Sequence, residues 1–589
     1  MGNDFVSYLN SMNNAGSDTA AALAEMQVKS DYYDKIKIQR KLGTYIVDSI
    51  RNGEHIAYVL TGHAGDGKTS ILVQVLQELD MLGKGEAIPE EKLFTNESGI
   101  KLYAVKDMSE LEASKQSAYF RKALIMPNEN GSSILISNTG PLIKCFEEMA
   151  KQDHSDNGTE MSESDIIELQ NNLLNQLDNN DPQVKEIGGY KVMVINIARI
   201  DNVDFAEKVL HKILSEDLWS PCEACEKKER CPIYNNVSLV RKYEEKVAVF
   251  ITSTYRYLYE NDKRMTIRQM LSQISYSITG NRKCGVIRGD SQEQKFKYFF
   301  SNLFFGYNGI KLDDNALQIQ GISYLNELLF DSKTLHIDYA LFVSGLLHEQ
   351  LNDDIYQLVE NKYRRYLRHC VFNSYDDCAP SDNDVMLRKA IRRMYIIFHN
   401  DDSENGQLLD EIFGKGFNDF MQLTGNSSRS VSCKNDLVKI IRNALYIEAT
   451  GNNPADSNML PVTVKRNDNM YQKVMVLDGQ IALQSIKLNQ TAVSSVFEES
   501  GKQDLYLDIS GNKFKLTLPL VIYFEQIADG CISTNSNPSL THGISKLKAI
   551  LRETAKTNGS QDSFYIMLNK TDGPKPFTLQ IEDNMLYIE

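Results

Sequence analysis

Gly62-His63-Ala64-Gly65-Asp66-Gly67-Lys68-Thr69 fits the phosphate-binding loop pattern G-x-x-x-x-G-K-[ST] and follows directly on the apolar run His55-Ile-Ala-Tyr-Val-Leu-Thr61. Behind it, Ile71, Leu72, Val75, Leu76 and Leu79 recur at helical spacing, so the region reads as strand, loop and helix. Glycines let such a loop take positive φ angles and approach phosphates closely. Consecutive N–H groups then point inward at a helix N-terminus, where the dipole also favours anions. The predicted cradle comprises Gly62, His63, Ala64, Gly65, Asp66, Gly67, Lys68, Thr69 and Ser70. Lys68 is expected to reach the β/γ oxygens and the Thr69 hydroxyl to ligate Mg²⁺. No N-K-x-D guanine-reading motif lies at a suitable distance, which favours ATP.

At 589 residues the chain exceeds one ordinary domain, and its length suggests about three or four. Its 42% hydrophobic and 24% charged residues are those of a soluble globular protein. No apolar stretch approaches membrane-spanning length, Met1-Gly2-Asn3-Asp4-Phe5 lacks the build of a secretory signal, and Val6 breaks the myristoylation pattern. The expected location is the cytoplasm, where nine cysteines read as reduced thiols or metal ligands rather than disulfides. A net charge of −15 argues against broad coating of DNA. Lys362-Tyr-Arg-Arg-Tyr-Leu-Arg368 and Arg388-Lys-Ala-Ile-Arg-Arg393 are candidates for a local basic groove, with solvated helix faces as the alternative.

The expected fold class is α/β: an AAA-like P-loop NTPase core with a helical region and a small C-terminal α+β domain. Residues 1–54 read as a helical lead-in, with Ile46, Val47 and Ile50 at helical spacing. Residues 55–289 form the core, in which Ile100–Val105, Ser133–Ser137 and Lys191–Asn196 read as buried parallel strands. The polar, acidic stretch 152–188 reads as a surface insertion. Residues 290–448 are helical by pattern, with Tyr339–Leu347 and Tyr395–Phe398 facing the core, and Ala449–Ser457 is a linker by composition. Residues 458–589 show short strands at 474–477, 505–509, 514–518, 577–581 and 585–588, the last two around an Asp583-Asn584 turn.

An ATPase needs a second acid for Mg²⁺ and a group that positions water. Asp107, ending the strand Leu102–Lys106, is the candidate magnesium ligand, with Glu110 beside it; the alternative is that Asp107 only caps the next helix. Asn138 ends a buried strand where AAA-type ATPases place a γ-phosphate sensor, with Asn196 as the backup and a plain turn as the alternative. Met265–Gly280 reads as one helix, with Thr266 as N-cap, Gly280 as stop and Arg268 in its first turn, aimed either at phosphate or at solvent. Cys222, Cys225 and Cys231 offer three thiolates within ten residues. A structural Zn²⁺ needs a fourth ligand, for which Cys284 ranks ahead of His211; an iron–sulfur cluster or free thiols are the alternatives.

In this order the P-loop, Lys106-Asp107-Met108-Ser109-Glu110, Asn138-Thr-Gly-Pro-Leu142, the C-x₂-C-x₅-C-P cluster and the T-x-R-x-x-L helix resemble the DptF-type ATPases of bacterial phosphorothioation-dependent restriction systems and related phage-defence P-loop proteins. The resemblance covers about residues 40 to 290. It implies an AAA-like ATPase working with partner subunits to restrict DNA that lacks the host's sulfur modification. No nuclease signature and no helicase D-E-x-[HD] box accompanies it, so cutting is expected of a partner. The rival expectation is a nucleotide-gated scaffold or sensor with little turnover.

Overall fold

The apolar runs of the first 200 residues build a six-stranded sheet in the computed structural model. Its strands are β1 (Ala57–Thr61), β2 (Glu91–Thr95), β3 (Lys101–Val105), β4 (Ser132–Ile136), β5 (Lys185–Ile187) and β6 (Tyr190–Asn196), in the order β2-β3-β4-β1-β6-β5. The inner four run parallel, and β2 and β5 are antiparallel edges. The structure describes residues 2–14, 30–83, 86–156, 162–179, 181–187, 189–286, 291–372, 380–399, 405–425, 430–454, 458–463, 474–493, 495, 497, 499, 501–531, 538–558, 563–570, 573–582 and 585–588.

The helices that concern the site are α1 (Asp4–Ser11), α2 (Asp31–Ile36), α3 (Lys41–Arg51), α4 (Lys68–Glu78), α5 (Ala113–Ile125), α6 (Thr139–Asp156), α7 (Glu163–Leu177), α8 (Phe205–Ile213), α9 (Glu216–Glu223), α10 (Pro232–Lys242), α11 (Glu244–Glu260) and α12 (Ile267–Thr279). One face of the sheet (Tyr58, Leu60, Ile134, Ile136, Ile195) packs with Ile46 and Ile50 of α3 and with Leu72 and Val75 of α4. The other face (Val59, Tyr103, Leu135, Val194) packs with Phe120 of α5, Phe146 of α6 and Leu173 of α7. Strands covered on both sides are apolar throughout, which is why β1, β3, β4 and β6 stand out as continuous runs. The described residues of the acidic stretch 152–188, read as a surface insertion, are largely helical: α7 starts from a Ser162/Asp165 capping box and buries Leu173 and Leu177 in that second core.

The chain divides into two compact units, the first comprising Met1–Tyr259, Lys263–Asp402 and Ser494–Ser500, the second Glu260–Asp262, Ser403–Val493 and Gly501–Glu589. The helices Phe417–Thr424 and Ser430–Thr450 thus belong with the C-terminal strands rather than with the helices before 402, because they pack on Leu518–Ala528. The second unit carries a five-stranded sheet (459–463, 474–482, 563–570, 573–582, 585–588) and a three-stranded one (486–492, 503–509, 512–516). Residues 455–457 of the expected linker and the Asp583-Asn584 turn lie outside the described residues.

Two expectations for the helical region need correction. In the run Tyr339–Leu347, Tyr339 is 69% exposed while Leu341 and Phe342 are buried, so only one side of it faces the core. Two of the arginines offered for a basic groove are paired internally: Arg392 meets Asp338 at 2.7 Å, and Arg393, fully buried, donates to Asp331 (2.6 Å), Asn302 (3.1 Å) and the Gly309 carbonyl (3.1 Å) over the Tyr307 ring, while Arg364, Arg365 and Arg368 are exposed on their helix. A guanidinium held by four hydrogen bonds in this way is an interior tie.

Replacing Asp331 with Ala leaves that buried charge uncompensated, with an expected cost of about 3–5 kcal/mol to the first unit, read as a lower urea midpoint. In the second unit, burial first and then the charges of Asp419 and Glu525 push the Asp410 carboxyl up to about 6 from 3.8. A raised carboxyl stabilises most below its unfolded value and loses that contribution as pH rises through the folded one. Asp410→Asn should therefore flatten the pH dependence of unfolding between about 4 and 6.

Candidate functional site

The loop Gly62–Gly67 leaves the carboxyl end of β1 and enters α4 at Lys68, on the sheet edge where β3, β4 and β6 also end. Ligands of open α/β sheets bind outside this edge. Gly65 has φ of 91°, and a Cβ there would come 3.0 Å from Thr266 Oγ1 and 3.3 Å from Arg268 Cβ. The start of α12 is thus packed against the loop, with Arg268 N donating to Gly65 O at 3.4 Å. Helix α12 has the expected bounds: a Thr266/Gln269 capping box opens it and left-handed Gly280 closes it.

Asp66 lies on the inner side of the loop, fully buried. One carboxylate oxygen accepts from His63 N (2.9 Å) and the other pairs with Arg264 (2.6 Å). Arg264 also donates to the Ile197 and Ile200 carbonyls, both at 3.3 Å, and Arg40 donates to Asp66 O at 2.8 Å. Asp66 is therefore an anchor of the loop rather than a ligand group. Arg40 and Arg264 carry no motif, and only their separation from the loop in sequence hides them.

A cavity of about 830 Å³ opens on the outer side, lined by Gly65, Gly67, Lys68, Thr69 and Ser70 of the loop and α4, and by Lys106, Asp107 and Arg268. Its size falls within the range for small-molecule and cofactor sites. Ile36, Ile38, Phe205 and Val209 give it an apolar wall. Lys68 Nζ donates to the Gly62 and His63 carbonyls at 2.7 and 3.0 Å. Burial pushes its amine below the usual range and nearby Arg268 does the same, while Asp66 and Asp107 act in the opposite direction. Burial alone lowers Arg268, whose guanidinium has no hydrogen-bond or carboxylate partner among the described residues.

Asp107 caps the short turn Met108–Glu110, one oxygen accepting from Ser109 N at 2.9 Å. Its second oxygen has no protein partner among the described residues, so the capping role and a place on the cavity wall coexist. The Glu110 side chain lies outside the described residues. Asn138, exposed at the end of β4, does not line the cavity, although its backbone N is 3.3 Å from Ser109 Oγ. Asn196 is not available as a sensor: its amide donates to Leu177 O and accepts from Ala198 N, both at 3.1 Å.

The cysteines gather elsewhere in the first unit. Cys222 lies in the last turn of α9, Cys231 is the N-cap of α10, and Cys284 follows α12. Burial raises the Cys222 thiol most, and the neighbouring Cys284, Cys231 and Cys225 raise it further. Asn3 Nδ2 donates to Cys222 Sγ and Asn3 N to Cys284 Sγ, each at 3.4 Å, and the amides of Tyr234 and Ile233 donate to Cys231. No three of the four sulfurs lie within 4.8 Å of one another. His211 pairs with Glu244 at 2.8 Å and belongs to another contact. Among the described residues the one group whose possible metal-ligand atoms do meet within 4.8 Å is His369, Cys370 and Asp384, which no sequence motif flags. Asp384 is engaged there as the capping-box partner of Ser381.

No protein-family model, curated protein or solved structure matches the chain. No helix of the described residues is long and apolar enough to cross a membrane.

Removing the inner anchor tests this geometry. Arg264→Ala strands the Asp66 carboxylate in the interior and is expected to destabilise the first unit by about 3–5 kcal/mol, whereas Lys68→Ala, whose partners are loop carbonyls, should cost about 1 kcal/mol; paired urea titrations compare them.

Proposed function

We propose that the chain is an Mg²⁺-dependent ATP-binding and hydrolysing protein with a P-loop NTPase core. The observation that carries this reading is a pair of partly desolvated cations, Lys68 and Arg268, on one cavity at a helix N-terminus, Arg268 having no anion partner among the described residues. A polyphosphate supplies the missing charge. The loop amides and Lys68 bind the β- and γ-phosphates, and Arg268 contacts the γ-phosphate from the start of α12. Thr69 and the free oxygen of Asp107 suit a hard cation and would hold Mg²⁺, which would neutralise charge developing on the transferred phosphoryl group. The apolar wall at Ile36, Ile38 and Phe205 suits a purine.

The resemblance to DptF-type ATPases extends the proposal to a switch or motor subunit of a multi-protein DNA restriction complex, with cleavage by a partner. A second reading, a nucleotide-gated scaffold with slow turnover, draws support from Asp107, which spends one oxygen on the Ser109 cap. Steady-state hydrolysis with and without DNA separates the two.

Lys68→Ala and Arg268→Ala should each lower ATP affinity or turnover on the order of a hundredfold; wild-type binding and turnover in both would sink the proposal. The purified chain should leave duplex DNA uncut with any nucleotide. Metal-dependent cleavage that survives Lys68→Ala would place a nuclease in this chain.

A further inference from the structure

We propose that Cys222, Cys225, Cys231 and Cys284 bind one Zn²⁺, and that this ion clamps the segment Gly2–Asn14 into place through Asn3. The four thiols come from three separate places in the chain: the end of α9 and the turn after it, the start of α10, and the stretch following α12. Short turns set the first three, with Cys225 N donating to Cys222 O at 3.2 Å and Cys231 N to Lys228 O at 3.1 Å. Cys284 is non-local, and its arrival completes a four-thiolate donor set, the closed shell of a structural zinc.

N–H groups surround the sulfurs, and Cys284 Sγ also faces the Asn3 carbonyl at 3.7 Å. Asn3 supplies one donor to Cys222 and one to Cys284, and Cys231 takes two from the first turn of α10. N–H donors of this kind are the outer partners that metal-bound sulfurs accept from, and they hold the cysteine side chains in orientation around the site. Tetrahedral Zn–S bonds of about 2.3 Å imply sulfurs about 3.8 Å apart. The present spacing is wider, so binding draws the turns inward.

Asn3 couples this site to the segment that carries it. It is 5% exposed; its amide also donates to Leu218 O (3.0 Å), and its Oδ1 caps α1 through Phe5 N (3.0 Å). A Cβ on Gly2 would sit 3.0 Å from Cys284 Cβ, so the backbone passes directly against the thiol. One and two turns on, Phe5 packs edge-on against buried Trp219 of α9, and Tyr8 and Met12 reach the lining of the large cavity. A metal at the cysteines therefore fixes one wall of that cavity without touching its contents.

The test uses the full-length chain and needs no nucleotide. Elemental analysis should find about one zinc per chain, falling to less than about a tenth in Cys225→Ser and in Cys284→Ser, while Cys531→Ser, exposed and outside the cluster, keeps its zinc. Amide hydrogen exchange over residues 4–11 should accelerate about tenfold or more when a chelator strips the wild-type protein, and zinc should restore protection, which covers the case of a variant that fails to fold. A protein free of zinc, iron with sulfide in its place, zinc retained by Cys284→Ser, or α1 exchange unmoved by stripping would each overturn the proposal.

Discussion

The Asp66–Arg264 ion pair fixes where everything else at the site can be. Asp66 belongs to the loop, and Arg264 stands just before the cap of α12 and also grips the carbonyls of Ile197 and Ile200 beyond β6. One buried charge pair thus ties together the loop, the end of a neighbouring strand and the helix that bears Arg268. Such a pair contributes little net stability, because desolvation offsets its attraction. Its value is positional: it holds Lys68 and Arg268 on one cavity, although 199 intervening residues separate them.

Much of this was legible in the sequence, and the failures have physical causes. The inner strands could be read because both their faces are covered, whereas β2, with Lys92, Leu93 and Thr95 exposed, and β5, with Lys185 and Glu186 exposed, lack any apolar run. Helix α12 could be read to the residue, since its cap, its capping-box partner and its stop are all local signals. The fates of arginines could not. Arg268 and Arg393 both sit in helical runs, yet one faces a cavity and the other is buried against Asp331, 62 residues away. Cys222, Cys225 and Cys231 announce themselves by spacing, but nothing in the sequence points to Asn3 as the residue between two of the sulfurs.

The acidic balance of the chain has a structural counterpart in its basic residues, several of which already have partners. Arg364 pairs with Glu360, Lys362 with Glu293, Arg392 with Asp338 and Arg393 with Asp331. Pairs of this kind remove the uncompensated positive surface that phosphate backbones require. Arg268 differs from them in having no acid opposite it among the described residues, and that difference rather than its residue type is what makes it a candidate for facing a ligand.

Lys68 has a consequence for energetics that its motif does not convey. Its amine is already held by two carbonyls of its own loop, and the loop is shaped by glycine backbone, by Asp66 and by Arg40. Under the proposed function an anion would meet a loop already shaped by its own contacts and would exchange neutral oxygens for charged ones at Lys68. Little of the association free energy would then go into organising the chain. Discrimination between anions would rest on how well their own geometry matches that frame.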